Sequence, residues 1–122
     1  MQRSLCILVS RAPYGTVAAA EAVRHINGAL TEGYTVVVAL VDDGVWLGRS
    51  GQQAGEHGFT SLSEALRASL HPASGPAPRV VVHRPSLEQR GLSPDGLVPG
   101  LDTVDDAGLA GVITSAQFLL RF

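Results

Sequence analysis

The sequence predicts a single-domain α/β sandwich in which a mostly parallel five-stranded sheet is flanked by helices. Short apolar runs rich in valine and leucine alternate with longer segments of helical periodicity, which is the pattern of repeated βα units. A length of 122 residues and an apolar content of 45% are enough for one domain, over residues 1–122, with a core of its own. Crossovers between its parallel strands should be right-handed.

Five segments have the length and composition of strands. The first three are apolar on both faces, as expected for strands that helices cover on both sides. Pro99 interrupts the fourth, which we therefore expect at an edge of the sheet, because proline cannot donate a ladder hydrogen bond. The predicted strands are Leu5–Ser10, Tyr34–Val41, Arg79–His83, Leu97–Leu101 and Gln117–Phe122.

Three main helices are predicted between the strands, each preceded by a capping signal. Ser61 and Glu64 have the spacing of a capping box, in which each side chain bonds an amide that the helix leaves unpaired. The segment 86–90 allows only a short helical turn, and the glycine-rich segment 45–59 predicts a long loop that includes at most one helical turn. The predicted helices run from Thr16 to about Leu30, from Leu62 to about Leu70, and from Thr103-Val104-Asp105-Asp106 to near Ser115.

Composition narrows the function classes. The formal net charge is −2, and the nine arginines form no basic stripe, which disfavours direct nucleic-acid binding. Lysine is absent, which excludes a lysine Schiff base or a P-loop lysine.

The first apolar run, Leu5–Val9, is too short for a signal peptide or a membrane span, and the single cysteine forms no internal disulfide. We therefore expect a cytoplasmic protein that does not enter a membrane.

His83 is the first candidate for chemistry, because it is the first polar residue after three valines of the third strand. In open α/β sheets, ligands bind beyond the carboxyl ends of the parallel strands, and imidazole can exchange a proton near neutral pH. Arg84 and Arg90 are near enough in sequence to hold an anion beside it. A histidine at a strand end can equally be a half-buried hydrogen-bonding residue, and both interpretations stay open.

Two loops should lie at the same edge of the sheet. Pro13-Tyr14-Gly15-Thr16 precedes the first helix, whose N-terminus suits a phosphate, a sulfate or a persulfide. Without a GxxxxGK or GxGxxG motif an ordinary turn is favoured, and we expect no cofactor. Asp42-Asp43 offers two carboxylates for a metal or for acid–base work, but Asp-Gly is also a common turn and no third ligand is evident. We expect no metal.

The remaining candidates are Cys6, three aromatic or apolar residues and three histidines. Cys6 lies within the first strand, where core packing explains it better than reactivity does. Trp46, Leu47 and Phe59 form either a partner-binding surface or a lid over the core. No metal-ligand spacing relates His25, His57 and His71.

Four short segments together resemble the DsrE/DsrF superfamily of sulfur-relay proteins, most closely its DsrF or TusC branch. The resemblance implies a five-stranded α/β sandwich that assembles into oligomers, either homomeric or built from three related subunits. The candidate cleft at the carboxyl edge of the predicted sheet comprises Pro13, Tyr14, Gly15, Thr16, Asp43, His83, Arg84 and Arg90. The matching segments are Ala12-Pro13-Tyr14-Gly15-Thr16, Asp43-Gly44-Val45, Ser86-Leu87-Glu88-Gln89-Arg90-Gly91-Leu92 and Leu119-Leu120-Arg121-Phe122.

One position departs from this family. The resemblance places a persulfide-carrying cysteine eight residues before the glycine of the Arg-Gly pair, and eight residues before Gly91 stands His83. Imidazole has no sulfur to carry. The resemblance therefore implies a non-catalytic subunit that supports persulfide transfer for tRNA thiolation or sulfur oxidation, with DsrE-like and DsrH-like subunits, or copies of itself, as partners.

Two alternatives stay open beside this one. The chain can be a stand-alone homo-oligomer that binds a small molecule or an anion with residues 14–16, Asp43 and His83. It can also be an enzyme that uses His83 as acid or base, with Asp43 as the residue that orients the ring.

Overall fold

Five strands form a single parallel sheet in the computed structural model, which describes residues 3–52 and 61–122. Their order across the sheet is β4-β3-β2-β1-β5, and each neighbouring pair is parallel. The predicted α/β class with a mostly parallel five-stranded sheet is confirmed. The strands are β1 (Ser4–Val9), β2 (Thr35–Leu40), β3 (Arg79–His83), β4 (Asp102–Val104) and β5 (Phe118–Arg121).

Helices cover both faces of this sheet. Leucine and isoleucine side chains of the first three α-helices enter one large apolar cluster, whereas those of the last helix pack on the opposite face against a smaller cluster. No helix among residues 3–52 and 61–122 has both the length and the apolar character to cross a bilayer. The α-helices are α1 (Ala18–Thr31), α2 (Leu62–Ser69), α3 (Arg84–Gln89) and α4 (Asp106–Ser115).

The strand order explains why α4 lies alone on its face. From β1 to β4 the chain moves in one direction across the sheet, with α1, α2 and α3 on the same side. The last connection runs back from β4 to the far side of β1. Right-handed crossovers that travel in opposite directions must lie on opposite faces, which is the arrangement seen. Leu109, Val112 and Ile113 of α4 accordingly pack against Cys6, Ala39 and Val81.

The fourth strand was predicted at the wrong place. Leu97–Leu101 is not a strand, because Gly100 has a φ of 99° and Pro99 precedes it. Val98 is instead buried, and its amide donates to the carbonyl of Gly48 at 2.7 Å. The apolar composition of this segment therefore reflects a packed connection. The actual fourth strand, β4, follows directly and does lie at an edge of the sheet, as expected.

The helix starts follow the predicted signals only in part. Ser61 caps α2, since its hydroxyl oxygen accepts the amide of Glu64 at 3.2 Å. Thr16 lies before the first turn of α1, where its hydroxyl oxygen accepts the amide of Ala18 at 3.3 Å. Asp105, rather than Thr103, caps α4 by accepting the amide of Gly108 at 2.8 Å.

The segment 45–59, predicted as a long loop with at most one helical turn, begins inside such a turn. A 3-10 helix occupies Asp42–Gly48, so the segment is structured from its first residue. Residues 53–60, and with them His57 and Phe59, lie outside the part of the chain that is described. Within the described part, Trp46 is half-buried and Leu47 is buried in the main core, which identifies Leu47 as a core residue.

Candidate functional site

The connections of the sheet change direction between β3 and β4 at its carboxyl edge, a place called the crevice below. After β3 the chain turns into α3 on the face of α1 and α2, and after β4 it turns into α4 on the opposite face. Adjacent parallel strands whose connections leave to opposite faces create the position where α/β sheets place ligands. His83 is the last residue of β3 and Asp106 the first residue of α4, so both lie at this crevice.

Both ring nitrogens of His83 have hydrogen-bond partners. Nε2 lies 2.6 Å from a carboxylate oxygen of Asp106, and Nδ1 lies 2.7 Å from the hydroxyl oxygen of Ser86. The Ser86 oxygen accepts the amide of Asp42 at 2.9 Å, which leaves its own proton for Nδ1. When the Ser86 hydroxyl donates to Nδ1, the ring proton sits on Nε2 and points to the Asp106 carboxylate.

This serine–histidine–aspartate chain is not arranged for nucleophilic attack. Ser86 is only 1% exposed, and its oxygen already holds the amide of Asp42. The His83 side chain is 15% exposed, whereas Asp106 is 87% exposed. A ligand can therefore reach Nε2 only by displacing Asp106, and the carboxylate is exposed enough to move away. The ring thus directs one N–H donor at the exposed Asp106 carboxylate.

Asp43 does not orient His83, which corrects the expected pairing. Its carboxylate accepts a hydrogen bond of 2.9 Å from Nε of Arg90, and a second guanidinium nitrogen of Arg90 donates to the carbonyl of Ser86 at 3.1 Å. Arg84 donates to the hydroxyl of Thr103 at 3.0 Å. Both arginines of the candidate cleft are thus engaged by protein oxygens on either side of His83, and Asp106 is the carboxylate that meets the ring.

The turn before Asp43 is held by close backbone contacts. Asp42 has a φ of 49°, in the left-handed region that side chains rarely adopt, although aspartate does so more readily than most. A Cβ atom at Gly44 would lie 1.9 Å from the carbonyl oxygen of Val9, so only glycine allows this approach. The interpretation of Asp42-Asp43-Gly44 as a tight turn therefore agrees with the geometry.

The loop at 13–16 lies apart from the His83 contacts. Pro13 and Tyr14 line a separate cavity with Trp46 and Arg49, whereas Gly15 and Thr16 are exposed. The residues of the predicted cleft are therefore divided between two places. Sequence reasoning missed Ser86 and Asp106 as partners of His83, although a serine three residues after a strand-end histidine lies within reach when a helix follows at once.

Cys6 is fully buried on the α4 face of the sheet. Burial raises the pKa of its thiol above the ordinary value, because the thiolate would lose its hydration there. The thiol is therefore neutral near pH 7 and is not a nucleophile. Among residues 3–52 and 61–122, no three side chains of the metal-binding types come together as ligands.

An apolar surface lies at the other edge of the sheet. Phe118, Leu119 and Leu120 of β5 are 52%, 44% and 39% exposed, respectively. None of the residues of α4 is buried, although Leu109, Val112 and Ile113 are partly covered. An exposed apolar edge strand is unfavourable in an isolated chain and is typical of a contact surface.

Comparisons with known proteins relate this chain to one described family and to individual relatives. A profile of the DsrE/DsrF-like family matches residues 3–121. An uncharacterized protein of Methanopyrus kandleri, MK0008, is 32% identical over 118 residues, which are 97% of this chain and 93% of that protein. The intracellular sulfur oxidation protein DsrF of Allochromatium vinosum is 35% identical over 88 residues, which are 72% of this chain but only 62% of that protein.

Two solved structures have the same fold. The ychN protein of E. coli superposes with a TM-score of 0.81 at 24% identity, with both chains covered completely. The MTH1491 protein of Methanobacterium thermoautotrophicum, of unknown function, superposes with a TM-score of 0.68 at 12% identity, again over the whole of both chains. At these identities the likeness concerns the fold alone.

Proposed function

Because the chain belongs to the DsrE/DsrF-like family, we propose that it is a non-catalytic subunit of a sulfur-relay complex. In this role the single domain at 1–122 supports persulfide transfer by a partner that carries the reactive cysteine. The observation that carries the proposal is His83, which stands eight residues before Gly91 where the resemblance calls for a cysteine. Its ring is held by Ser86 and Asp106 and has no sulfur to transfer.

Cys6 does not replace the missing carrier. Its side chain is buried beneath α4, and burial raises the pKa of the thiol, so neither access nor ionisation favours sulfur transfer. A persulfide must therefore come from another subunit.

The N–H of His83 Nε2 gives this subunit a supporting role in a shared cleft. An anionic sulfur from a partner can take the place of the exposed Asp106 carboxylate and accept this hydrogen bond. Arg84, at the start of α3, donates to the hydroxyl of Thr103 and so adds a positive charge at the same edge of the sheet. Hydrogen bonds to an anion of this kind stabilise a persulfide without any covalent step on this chain.

The partners in this proposal are related DsrE-like and DsrH-like subunits in the cytoplasm, whereas further copies of the chain would be the partners in the alternative of a stand-alone homo-oligomer. The exposed apolar residues of β5, Phe118, Leu119 and Leu120, support such an assembly, since contact with another subunit would cover them. The relay serves sulfur oxidation or tRNA thiolation, and the name of the Allochromatium relative favours sulfur oxidation. Neither role gives this chain direct contact with nucleic acid or with a membrane.

Native mass spectrometry of the untagged protein from its own cells tests the proposal. We expect a hetero-oligomer that contains a small subunit with cysteine at the equivalent strand end. Leu119→Asp should dissociate it, whereas Ala20→Asp, on the exposed side of α1, should leave it assembled. Recovery of monomers or homo-oligomers alone would overturn the heteromeric role and leave a stand-alone binding protein.

A further inference from the structure

We propose that a second site, beside the loop at 13–14, binds an adenine nucleotide. This inference is independent of the sulfur-relay role, because it uses none of the contacts of His83. The site is an open cavity of about 290 Å³, close to the lower end of the range for small-molecule pockets. Its lining residues are Ala12, Pro13, Tyr14, Trp46, Arg49 and Gln52.

Aromatic and guanidinium groups give the cavity surfaces for stacking. Tyr14 is 51% exposed, and Trp46 is half-buried in the 3-10 helix after β2. The guanidinium carbon of Arg49 lies 5.5 Å from the centroid of the Trp46 ring. Tyrosine, tryptophan and arginine side chains are the groups on which proteins stack planar bases. The lining therefore favours a flat heteroaromatic ligand over a flexible apolar one.

Gln52 adds a polar group with a fixed orientation. Its side-chain nitrogen donates to the backbone carbonyl of Trp46 and, at 2.9 Å, to that of Arg49. An amide flip would set its oxygen against those two carbonyls, so the nitrogen must stay where it is. The amide oxygen of Gln52 is consequently left buried, with no hydrogen-bond partner within the described residues. Such an acceptor is costly, and a donor on a bound ligand would satisfy it once a small movement of the cavity lining uncovers the oxygen.

These features together select the class of ligand. A planar base with an exocyclic amino group supplies both the stacking surface and the N–H donor that Gln52 lacks. Adenine has this group, whereas hypoxanthine has a carbonyl oxygen at the same position and would set it against the Gln52 oxygen. Arg49 is exposed and positively charged, which favours a nucleotide over the free base.

Trp46 is the only tryptophan of the chain, so its fluorescence reports directly on this cavity. We expect saturable quenching on titration with AMP, binding of IMP at least about tenfold weaker because it leaves the acceptor unpaired, and no response to inorganic phosphate. Calorimetry under the same conditions measures binding independently of fluorescence. Equal affinity for AMP and IMP would show that Gln52 does not contact the base and would overturn the choice of adenine. Absence of AMP binding in both measurements would overturn the whole proposal.

Variants with matched controls separate the contributions. Tyr14→Ala should weaken AMP binding by about tenfold through lost stacking, whereas Tyr14→Phe should keep it. Arg49→Ala should weaken AMP binding several-fold, so that the variant binds AMP and adenosine with equal affinity. Arg3→Ala removes a different arginine–aromatic pair, in which the guanidinium lies 4.5 Å from the Tyr34 ring, and should leave AMP binding unchanged. If the Tyr14 and Arg49 variants bind AMP as tightly as the wild type, the site lies elsewhere.

Gln52→Met removes the acceptor while keeping the length of the side chain. We expect this variant to lose the preference for AMP over IMP, since neither base then meets a hydrogen-bonding partner there. The change also removes the two bonds that Gln52 donates, so circular dichroism should confirm that the variant is folded. If the variant does not fold, the affinities of the wild-type protein for AMP and IMP alone decide whether Gln52 contacts the base.

Discussion

The backbone amide of Asp42 donates a hydrogen bond of 2.9 Å to the hydroxyl oxygen of Ser86, which ties the end of β2 to the first turn of α3. The same hydroxyl lies 2.7 Å from Nδ1 of His83. One buried side chain therefore supports both the left-handed turn at Asp42 and the orientation of the histidine ring.

Replacing Ser86 by alanine should destabilise the protein more than loss of a surface hydroxyl would. The change leaves the Asp42 amide without its acceptor and Nδ1 of His83 without its donor. We expect the free energy of unfolding to fall by about 1–3 kcal/mol, the cost of unpaired buried polar groups. Urea denaturation measures this, with the exposed Ser74→Ala as the control. Equal stability of the two variants would mean that water replaces the hydroxyl.

Gly44→Ala should be strongly destabilising. The added methyl group would lie 1.9 Å from the carbonyl oxygen of Val9, and both partners are backbone, so β1 or the turn must move. We expect a loss of about 1–3 kcal/mol or more in the free energy of unfolding. Gly28→Ala, in α1 with open space around it, should instead be neutral or stabilising by up to about 1 kcal/mol. Similar melting temperatures for the two variants would contradict the close approach of Gly44 to the carbonyl oxygen of Val9.

The Cys6 thiol should make stability depend on alkaline pH. Burial raises its pKa, so the folded state favours the neutral thiol. This contribution is complete below the pKa of the unfolded chain and is lost as the pH rises through the raised pKa of the folded protein. The free energy of unfolding of the wild type should therefore fall more steeply above pH 9 than that of Cys6→Ala. Parallel curves would contradict this, as would rapid alkylation of the native thiol by iodoacetamide at pH 7.

His83→Cys should create a sulfur acceptor where the wild type has none. The new thiol would stand at the crevice, beside the exposed Asp106. With a low-molecular-weight persulfide as donor, mass spectrometry should detect the gain of one sulfur atom in this variant, and equally in the double variant with Cys6→Ala. The wild type should gain none, and sulfur found on its Cys6 would contradict the proposed role.

The strands could be predicted where burial leaves a continuous apolar run, as it does in β1, β2 and β3. The fourth could not. β4 has three residues, of which only Val104 is apolar, while the apolar run just before it belongs to the packing of Val98 against the 3-10 segment. Local composition indicates which segments are buried, and here the buried segment at 97–101 and the strand β4 are different parts of the chain.

The same limit applies to the site. His83 could be recognised because its own strand ends there, but its partner Asp106 depends on the register in which Val104 pairs with His83. Asp43 was expected to face the ring, yet α3 brings Arg90 to it instead. The cavity at Trp46 could not be foreseen, because its segment is glycine-rich and has no periodicity.

The sheet order has a consequence for folding during synthesis. β1, β2 and β3 with their helices form a contiguous unit that can pair as soon as residue 83 has emerged. Both outer strands, β4 and β5, and the helix that covers Cys6 come from residues 102–122. Until the ribosome has released that segment, the nascent sheet has two open edges and one bare face with an accessible thiol, and in this interval it is most open to wrong association.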